Sequence, residues 1–266
     1  MKLSFSTLGC PTWDIDTIIA RARQYGYDGV DFRGYRGEME IFKLPEFTTD
    51  AQTTAGKFAS AGIEVAGFAS SVSTGCSPQE FEKWIPEFEH YVRLCRIFKA
   101  PIIRIFGGHL KQTTYQQALE NIATNYRRLC QMAGDVLVGI ETHDDWIASN
   151  SVVAVMEKVA MPNACVIWDV HHPYRFCGER PQYTWDRIGR WVRLTHFKDG
   201  VVKADGKHTY TLAGKGDIPM DEFMRILKAG GFDGYAMVEW EKKWHPDIAE
   251  PQDAFPSYAN YLRPLM

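Results

Sequence analysis

The sequence predicts a single α/β domain built as a (β/α)₈ barrel, and three observations support this fold class. Short apolar runs rich in β-branched and aromatic residues recur eight times along the chain. Longer segments, several with helical periodicity, separate these runs, which is typical of parallel strands joined by right-handed crossovers. The length of 266 residues is close to the ~250 residues typical of a closed barrel of eight such units.

The elements of this predicted TIM barrel follow one another without a Pro-, Gly- or Ser-rich linker, so residues 1–266 are expected to form one domain. The predicted strands are Leu3–Ser6, Gly29–Phe32, Ile63–Phe68, Ile102–Phe106, Val136–Ile140, Cys165–Trp168, Trp191–Thr195 and Tyr235–Val238. Helical periodicity is clearest in Asp14–Tyr25, Phe81–Phe98, Tyr115–Met132, Val152–Val159 and Met220–Ala229.

Two segments lie outside the repeating pattern. An insertion, Asp199–Pro219, follows the seventh strand and is expected to be a mobile, solvent-exposed loop. A C-terminal extension, residues 241–266, is expected to pack on the barrel and to contain a short helix around Ala254–Leu262. These additions are where we expect substrate specificity to be determined.

The composition of the chain argues against some classes of binding partner. The chain has 30 Lys and Arg against 33 Asp and Glu, a balance that argues against a protein coating nucleic acid or an anionic membrane. No stretch approaches the ~20 apolar residues of a membrane span, and the N-terminus lacks a signal-peptide pattern. The six scattered cysteines form no CxxC pair, as expected of reduced thiols in a cytoplasmic protein. A small-molecule partner is expected, and homo-oligomer formation is left open.

Metal-binding residue types follow four consecutive predicted strands. The fifth strand leads into Glu141, the sixth into Asp169, the seventh into His196 and the eighth into Glu239. In a (β/α)₈ barrel the carboxyl ends of the strands meet at one rim, which is where the chemistry of such barrels takes place. The sequence therefore predicts that these four side chains converge.

Three converging carboxylates would repel one another unless a cation lay between them. Three hard oxygen donors and one imidazole suit a divalent ion such as Mn²⁺, Mg²⁺, Co²⁺, Fe²⁺ or Zn²⁺, with coordination positions left for substrate. The sequence thus predicts one bound divalent metal ion. The alternative is a set of solvated strand-end charges that form ordinary ion pairs.

Three further residues are candidates for substrate contact. His143 lies two residues beyond Glu141 and faces the same rim if the strand continues that far. Trp13, after the first strand, could stack on the apolar face of a sugar. Arg33, after the second strand, could bind an anionic group, although an ion pair with Asp31 or Glu64 is the favoured interpretation.

Several motifs together resemble the sugar phosphate isomerase/epimerase family of xylose isomerase-like barrels. They are GYDGVDFRG, GIETHDDW, WDVHH, THFKDG, AGKGDIP and LKAGGFDGYAMVEW, and the resemblance is strongest from Val136 to Trp240. It implies one divalent metal, with Mn²⁺ the leading candidate, whose ligands correspond to Glu141, Asp169, His196 and Glu239. It also implies that His172, three residues after Asp169, contacts a carbohydrate substrate.

By this resemblance, Glu141 and Glu239 would be the catalytic acid and base of a sugar isomerase or epimerase working through a metal-stabilised enediolate. The residue types do not decide between epimerisation and aldose–ketose isomerisation. Lys198 lies in an HxKD sequence similar to that of inosose dehydratase-like members. An ammonium at that position could assist loss of a hydroxyl, so the alternative is a metal-dependent lyase or dehydratase of a keto sugar or keto inositol. Equally, Lys198 could pair with Asp199 or Glu241.

Two other classes are disfavoured. Apurinic endonucleases share the barrel and the Asp-x-x-His pair, but they need additional His ligands. The third strand here ends in GFASS without a His, and the sequence shows no basic stripe for a phosphate backbone. The presence of all four metal-ligand residue types argues against a binding module that has lost its activity.

Overall fold

The structure, a computed structural model, describes residues 1–111 and 113–266. Its strands are β1 Lys2–Ser6, β2 Gly29–Phe32, β3 Glu64–Ser73, β4 Ile102–Phe106, β5 Leu137–Glu141, β6 Ala164–Asp169, β7 Val192–Phe197, β8 Asp199–Val202, β9 His208–Thr211 and β10 Tyr235–Val238. Eight of them close into a parallel barrel in the order β1-β10-β7-β6-β5-β4-β3-β2. The predicted fold class is therefore confirmed. In the part of the chain that the structure describes, no helix has the length and hydropathy of a membrane span.

The helices follow the strands as the repeating pattern predicts. They are α1 Ile15–Gln24, α2 Ala51–Ala61, α3 Pro78–Phe81, α4 Ile85–Phe98, α5 Tyr115–Ala133, α6 Ser149–Val159, α7 His171–Cys177, α8 Pro181–Ile188, α9 Met220–Ala229 and α10 Pro251–Leu262. Helices α2, α7 and α8 were not predicted from the sequence. α7 and α8 are short, and the periodic signal of a two-turn helix is weak.

Residues 1–66 and 194–266 form one compact unit. Within it, β1 pairs with both β2 and β10, and β10 pairs with β7. The register places Met237 of β10 beside His196 of β7, and the N–H of Glu239 donates to the carbonyl of Phe197. Pairing therefore fixes the backbone of both predicted ligands in this unit.

Residues 67–193 form the other compact unit. Here β4 pairs with β5 and β5 with β6. The register places Arg104 beside Gly139 and Glu141 beside Ile167, so Glu141 is the last residue of its strand. Asp169 likewise ends β6.

The predicted helix Phe81–Phe98 is interrupted. A 3₁₀ turn at Glu82–Trp84 separates the single turn of α3 from α4, which carries Pro86 in its first turn. Proline has no N–H to donate and clashes with the preceding turn, so it is favoured at a helix start and disfavoured in a helix interior. The continuous apolar periodicity concealed this break.

Helix α1 begins with a side-chain cap that provides a stability prediction. Asp14 accepts a hydrogen bond from the N–H of Thr17 at 2.8 Å, and hydrogen bonding to Thr17 lowers the pKa of Asp14. We expect Asp14→Ala to lower the free energy of unfolding by about 1 kcal/mol, and Asp14→Asn, which retains the acceptor, to change it little. The lowered pKa means that the ionised cap contributes fully at neutral pH and less as the pH falls through that value. Urea denaturation at pH 7 and pH 3 measures both effects, and equal losses in the two variants would contradict the capping role.

The prediction of a mobile loop is wrong for residues 199–211, which form an antiparallel hairpin, β8–β9. Asp199 pairs with Thr211 and Val202 with His208. The turn contains Asp205-Gly206, with Gly206 at φ +80°, and Asp-Gly between alternating residues is a hairpin signal that the sequence analysis missed. His208 and Lys215 are exposed, as expected for this segment.

The C-terminal helix α10 makes aromatic contacts with the unit to which it belongs. The ring of Phe255 lies 4.3 Å from that of Phe5 and 5.8 Å from that of Trp13, between centroids. The hydroxyl of Tyr27 donates to the carbonyl of Phe255 at 2.8 Å. Phe255 is fully buried, so burial of this large aromatic side chain anchors the extension.

Candidate metal centre

Glu141 is held at the end of β5 by a buried arginine. Arg104, in the middle of β4, donates from Nη1 to Oε2 of Glu141 at 2.7 Å and from Nη2 to the carbonyl of Ser70 at 2.9 Å. Its guanidinium lies 3.8 Å from the ring centroid of Phe106. Both charged side chains are at most 5% exposed, so this ion pair lies where water screens it little.

Asp169 is fixed by the residues on either side of its strand end. Its backbone N–H donates to the hydroxyl of Thr142 at 2.9 Å. Its Oδ1 accepts hydrogen bonds from the N–H groups of His171 and His172, at 2.9 and 3.3 Å. These N–H groups belong to the first turn of α7 and would otherwise lack helical partners. The carboxylate is fully buried, and one oxygen is oriented by these contacts.

His172 is oriented by a hydrogen bond that selects its tautomer. Its Nδ1 lies 2.9 Å from the carbonyl oxygen of Thr142 and 3.3 Å from Oδ2 of Asp169. A carbonyl oxygen can only accept, so Nδ1 carries the proton in the neutral ring. Nε2 is then the nitrogen that can accept a proton or hydrogen bond.

Glu239, directly after β10, lies between an imidazole and an ammonium group. Its Oε1 is 3.3 Å from Nδ1 of His196, and its Oε2 accepts from Nζ of Lys198 at 2.7 Å. Burial alone would raise the pKa of Glu239, but the charges of His196 and Lys198 hold it well below its usual range. Glu239 is therefore an ionised carboxylate at neutral pH.

Lys198 bridges two carboxylates and links them to the β8–β9 hairpin. Its Nζ lies 2.7 Å from Oε2 of Glu239 and 2.7 Å from Oε1 of Glu241. Tyr210 of β9 donates to the same oxygen of Glu241 at 2.9 Å. Burial alone would raise the pKa of Glu241, but Lys198 and its other partners lower it to about 2. The sequence prediction of a Lys198–Glu241 pair agrees with this geometry, whereas Asp199 accepts backbone N–H groups instead.

The four residues predicted as metal ligands form a group that could hold a metal ion. Glu141, Asp169, His196 and Glu239 each offer one ligand atom, and these atoms all lie within 4.8 Å of one another. Each of the four residues is at most 7% exposed. Three buried carboxylates at this separation would repel one another strongly, and a divalent cation among them would remove that conflict. The donor set fits an ion that prefers oxygen and imidazole ligands.

His143 lies beside this cluster but beyond the end of β5. Its ring centroid is 5.0 Å from that of His172 and 4.8 Å from that of Phe106. Burial alone would lower the pKa of His143, but a 2.8 Å contact with Asp144 and nearby carboxylates raise it. The side chain is 37% exposed, so its imidazole reaches solvent next to His172.

The other two predicted substrate contacts have structural partners. Trp13 is 7% exposed, and its ring meets that of Phe255 edge-on. Arg33 is half-buried directly after β2, and its backbone N–H donates to the hydroxyl of Thr7 at 3.0 Å. Glu64, which was named as one ion partner for Arg33, is bound by Lys2 at 2.6 Å. A substrate role for Trp13 and Arg33 stays a prediction.

Arg104 and Tyr210 were missed by the sequence analysis. A signal for Arg104 exists, because a charged residue inside the apolar strand IIRIF must be paired if that strand is buried. Tyr210 gave no comparable signal, since its role depends on the fold of a hairpin that was expected to be a loop.

Comparison with known sequences places the chain among barrels of this kind. The sequence model described as xylose isomerase-like TIM barrel matches residues 19–264. Fructoselysine 3-epimerase of Shigella flexneri is 22% identical over 253 residues, which cover 90% of each chain.

Solved structures agree with the fold. The probable 3-DHS dehydratase AsbF from Bacillus anthracis superposes with a TM-score of 0.81 at 19% identity, covering 99% of both chains. The IOLI protein, crystallised with a zinc atom, has a TM-score of 0.82 at 17% identity, covering 100% of this chain and 99% of that one. D-psicose 3-epimerase from Clostridium cellulolyticum H10 has a TM-score of 0.78 at 14% identity, covering 100% of this chain and 99% of that one. The chain belongs to the xylose isomerase-like TIM barrel family.

Proposed function

We propose that the protein is a divalent-metal-dependent isomerase or epimerase of a sugar or keto sugar. The observation that carries this proposal is the matched pair of carboxylates, Glu141 and Glu239. Each is held through one oxygen by a buried cation at 2.7 Å, Arg104 for Glu141 and Lys198 for Glu239. Two carboxylates of one cluster, each held by a buried cation, suit the removal and return of a proton.

The metal site would consist of Glu141, Asp169, His196 and Glu239, whose ligand atoms are close enough to share one ion. A divalent ion there would act as a Lewis acid on a substrate carbonyl and make the neighbouring C–H more acidic. Mn²⁺ is our first candidate, because its preference for oxygen and imidazole ligands matches this donor set.

The residues of the chain would then divide the proton transfers. One of the two glutamates would take the proton from the carbon next to the carbonyl. The other, having first taken up a proton from solvent, would deliver it to the opposite face for epimerisation, and the first would then release its proton to solvent. His172, with Nδ1–H held by Thr142, presents Nε2 as a hydrogen-bond acceptor for a substrate hydroxyl. His143, whose ring contacts that of His172, would bind a further hydroxyl.

A second candidate function, elimination of water, is favoured by one observation. The ammonium of Lys198 is buried and lies 2.7 Å from Glu239. A proton donor at that position could assist a departing hydroxyl. The structural likeness to the probable 3-DHS dehydratase AsbF supports keeping this alternative.

Metal content is the first expected result. Protein purified without chelator should contain about one divalent ion per chain, because three carboxylates and one imidazole form a single site. Inductively coupled plasma mass spectrometry measures this, with Asp169→Asn as the variant expected to lose the ion. Chelated protein that retains full activity would contradict the proposal.

Reaction class is tested by incubating the metal-loaded protein with a panel of keto sugars in D₂O. An isomerase or epimerase yields a product of the same composition that carries solvent deuterium at the reacting carbon. A dehydratase yields a product that has lost one water. NMR and mass spectrometry distinguish these outcomes, and failure to convert any neutral or anionic keto sugar would contradict both candidates.

A further inference from the structure

A polar cleft lies within residues 67–193, formed by the segments that follow β3 and β4 and by the start of α5. Its volume is about 610 Å³. Three of its lining residues, Lys83, His109 and Lys111, can carry positive charge. Hydrogen-bonding side chains complete much of the lining: Ser73, Ser77, Thr113, Gln117 and Asn121. None of these residues has a role in the chemistry proposed above.

The floor of the cleft is held rigidly by buried amide side chains of α5. Nδ2 of Asn125 donates to the carbonyls of Thr74 and Cys76, each at 2.9 Å. Nδ2 of Asn121 donates to the carbonyl of Gly75 at 3.3 Å. Both asparagines are at most 8% exposed. Three successive carbonyls are thus satisfied by α5, which orders a segment that would otherwise be a free loop.

Two glycines permit the close approach of the segments that form the cleft. A Cβ on Gly75 would lie 2.4 Å from the carbonyl oxygen of Gly107. Gly108 has φ +83°, and a Cβ there would lie 2.1 Å from Oγ of Ser73. No residue with a side chain could occupy either position without displacing its neighbour. The cleft therefore has a specific, preformed shape.

The charge of the cleft favours an anion. Glu80 is the acidic lining residue, and its carboxylate is already engaged by Ser77, which donates from its hydroxyl at 2.8 Å and from its N–H at 3.1 Å. Lys83 and Lys111 line the same space, and their two positive charges exceed the single negative charge of Glu80. Lysine ammonium groups bind phosphate or carboxylate through charge-assisted hydrogen bonds.

A chain of side-chain contacts joins the cleft to the candidate metal centre. His109, in the cleft lining, lies 3.4 Å from Oδ1 of Asp144, measured from Nε2. The same oxygen of Asp144 lies 2.8 Å from Nδ1 of His143, whose ring contacts that of His172. His172 in turn contacts Asp169. Only a few side chains therefore separate the cleft from Asp169.

We propose that this cleft binds an anionic tail, a phosphate or a carboxylate, of the sugar that reacts at the metal centre. The inference extends the proposed function by naming the substrate class. In this arrangement the two lysines bind the anionic group, and the proton transfers belong to the two glutamates.

Cys76 provides a test that does not depend on turnover. This half-buried thiol lines the cleft, whereas Cys177 is exposed and serves as an internal reference. Alkylation by iodoacetamide is followed by mass spectrometry in the presence of fructose, fructose 6-phosphate, a ketohexuronate or inorganic phosphate. We expect the anionic sugars to slow alkylation of Cys76 about fivefold at concentrations where fructose has no effect. The phosphate and carboxylate arms identify which anion is preferred.

Paired variants assign the effect to the lysines. K83Q/K111Q should abolish the protection of Cys76 and remove any preference in KM for anionic over neutral sugars. K99Q/K228Q removes two exposed lysines elsewhere and should behave as the wild type. Equal protection by fructose, or protection that persists in K83Q/K111Q, overturns the inference. Protection without turnover of any sugar would refute the proposed function and leave the anion site standing.

Discussion

Glu239→Gln is expected to lower kcat by about three orders of magnitude or more while the protein remains folded. Glutamine cannot accept the proton that we assign to Glu239, and it removes one negative charge from the metal ligands. Its side-chain oxygen can still accept from Lys198, which lies 2.7 Å from Oε2 in the native protein. The loss should therefore appear in turnover and in metal affinity. The unfolding midpoint should also fall, because the neutral amide no longer compensates the buried ammonium of Lys198.

To compare the kcat of Glu239→Gln with that of the native protein, both proteins must be saturated with metal, and a charge-matched control variant is needed. Glu157→Gln removes a carboxylate that is 61% exposed on α6, and it should leave kcat unchanged. Steady-state kinetics at saturating metal separate lost chemistry from lost metal. Retention of more than about a tenth of kcat in Glu239→Gln would exclude this residue as the acid or base, since such a group contributes at least 10²-fold.

Arg104→Met is expected to destabilise the metal-free protein by about 3 kcal/mol or more, because it leaves the Glu141 carboxylate buried without its cation. The two side chains are 5% and 1% exposed, so water cannot replace the lost partner. Adding Glu141→Gln to Arg104→Met should recover a large part of this loss. The double variant should nevertheless be inactive, since it lacks one of the two proposed proton carriers.

Urea denaturation in the presence of EDTA measures this cycle. Removing the metal matters, because a bound cation would itself compensate the charge of Glu141 in the single variant. Arg128→Met is a suitable control, since Arg128 pairs with Glu82 at the surface and such pairs contribute about 0–1 kcal/mol. Equal destabilisation by Arg104→Met and Arg128→Met would show that the buried pair does not stabilise Glu141.

The sequence predicted the barrel and the four converging residues for the same physical reason. In a (β/α)₈ barrel the carboxyl ends of all eight parallel strands lie at the same rim. The residue after each apolar run could therefore be assigned to that rim. The strand Tyr235–Val238 and the residue that follows it, Glu239, illustrate this, since predicted and observed bounds agree. The position of Glu141 required only that β5 end where its apolar run ends.

The contacts that tune these residues were less predictable. Arg104 reaches Glu141 across neighbouring strands, so the pair depends on a register that the local sequence does not specify. The interruption before Pro86 and the β8–β9 hairpin were missed because the prediction relied on the periodicity of apolar residues. The residues that favour turns were given too little weight. The contact between Tyr210 and Glu241 was missed for the same reason, since it exists only when the hairpin forms.

The β8–β9 hairpin has a consequence for how this barrel can diversify. Tyr210 contacts Glu241, Glu241 contacts Lys198, and Lys198 contacts Glu239, so a surface ribbon is linked through three polar contacts to a proposed proton carrier. Sequence drift or deliberate grafting in this ribbon would therefore shift the basicity of Glu239 while every barrel strand stays intact. New reactivity would then arise from changes in the β8–β9 hairpin, because surface segments vary more in sequence than the barrel strands they connect.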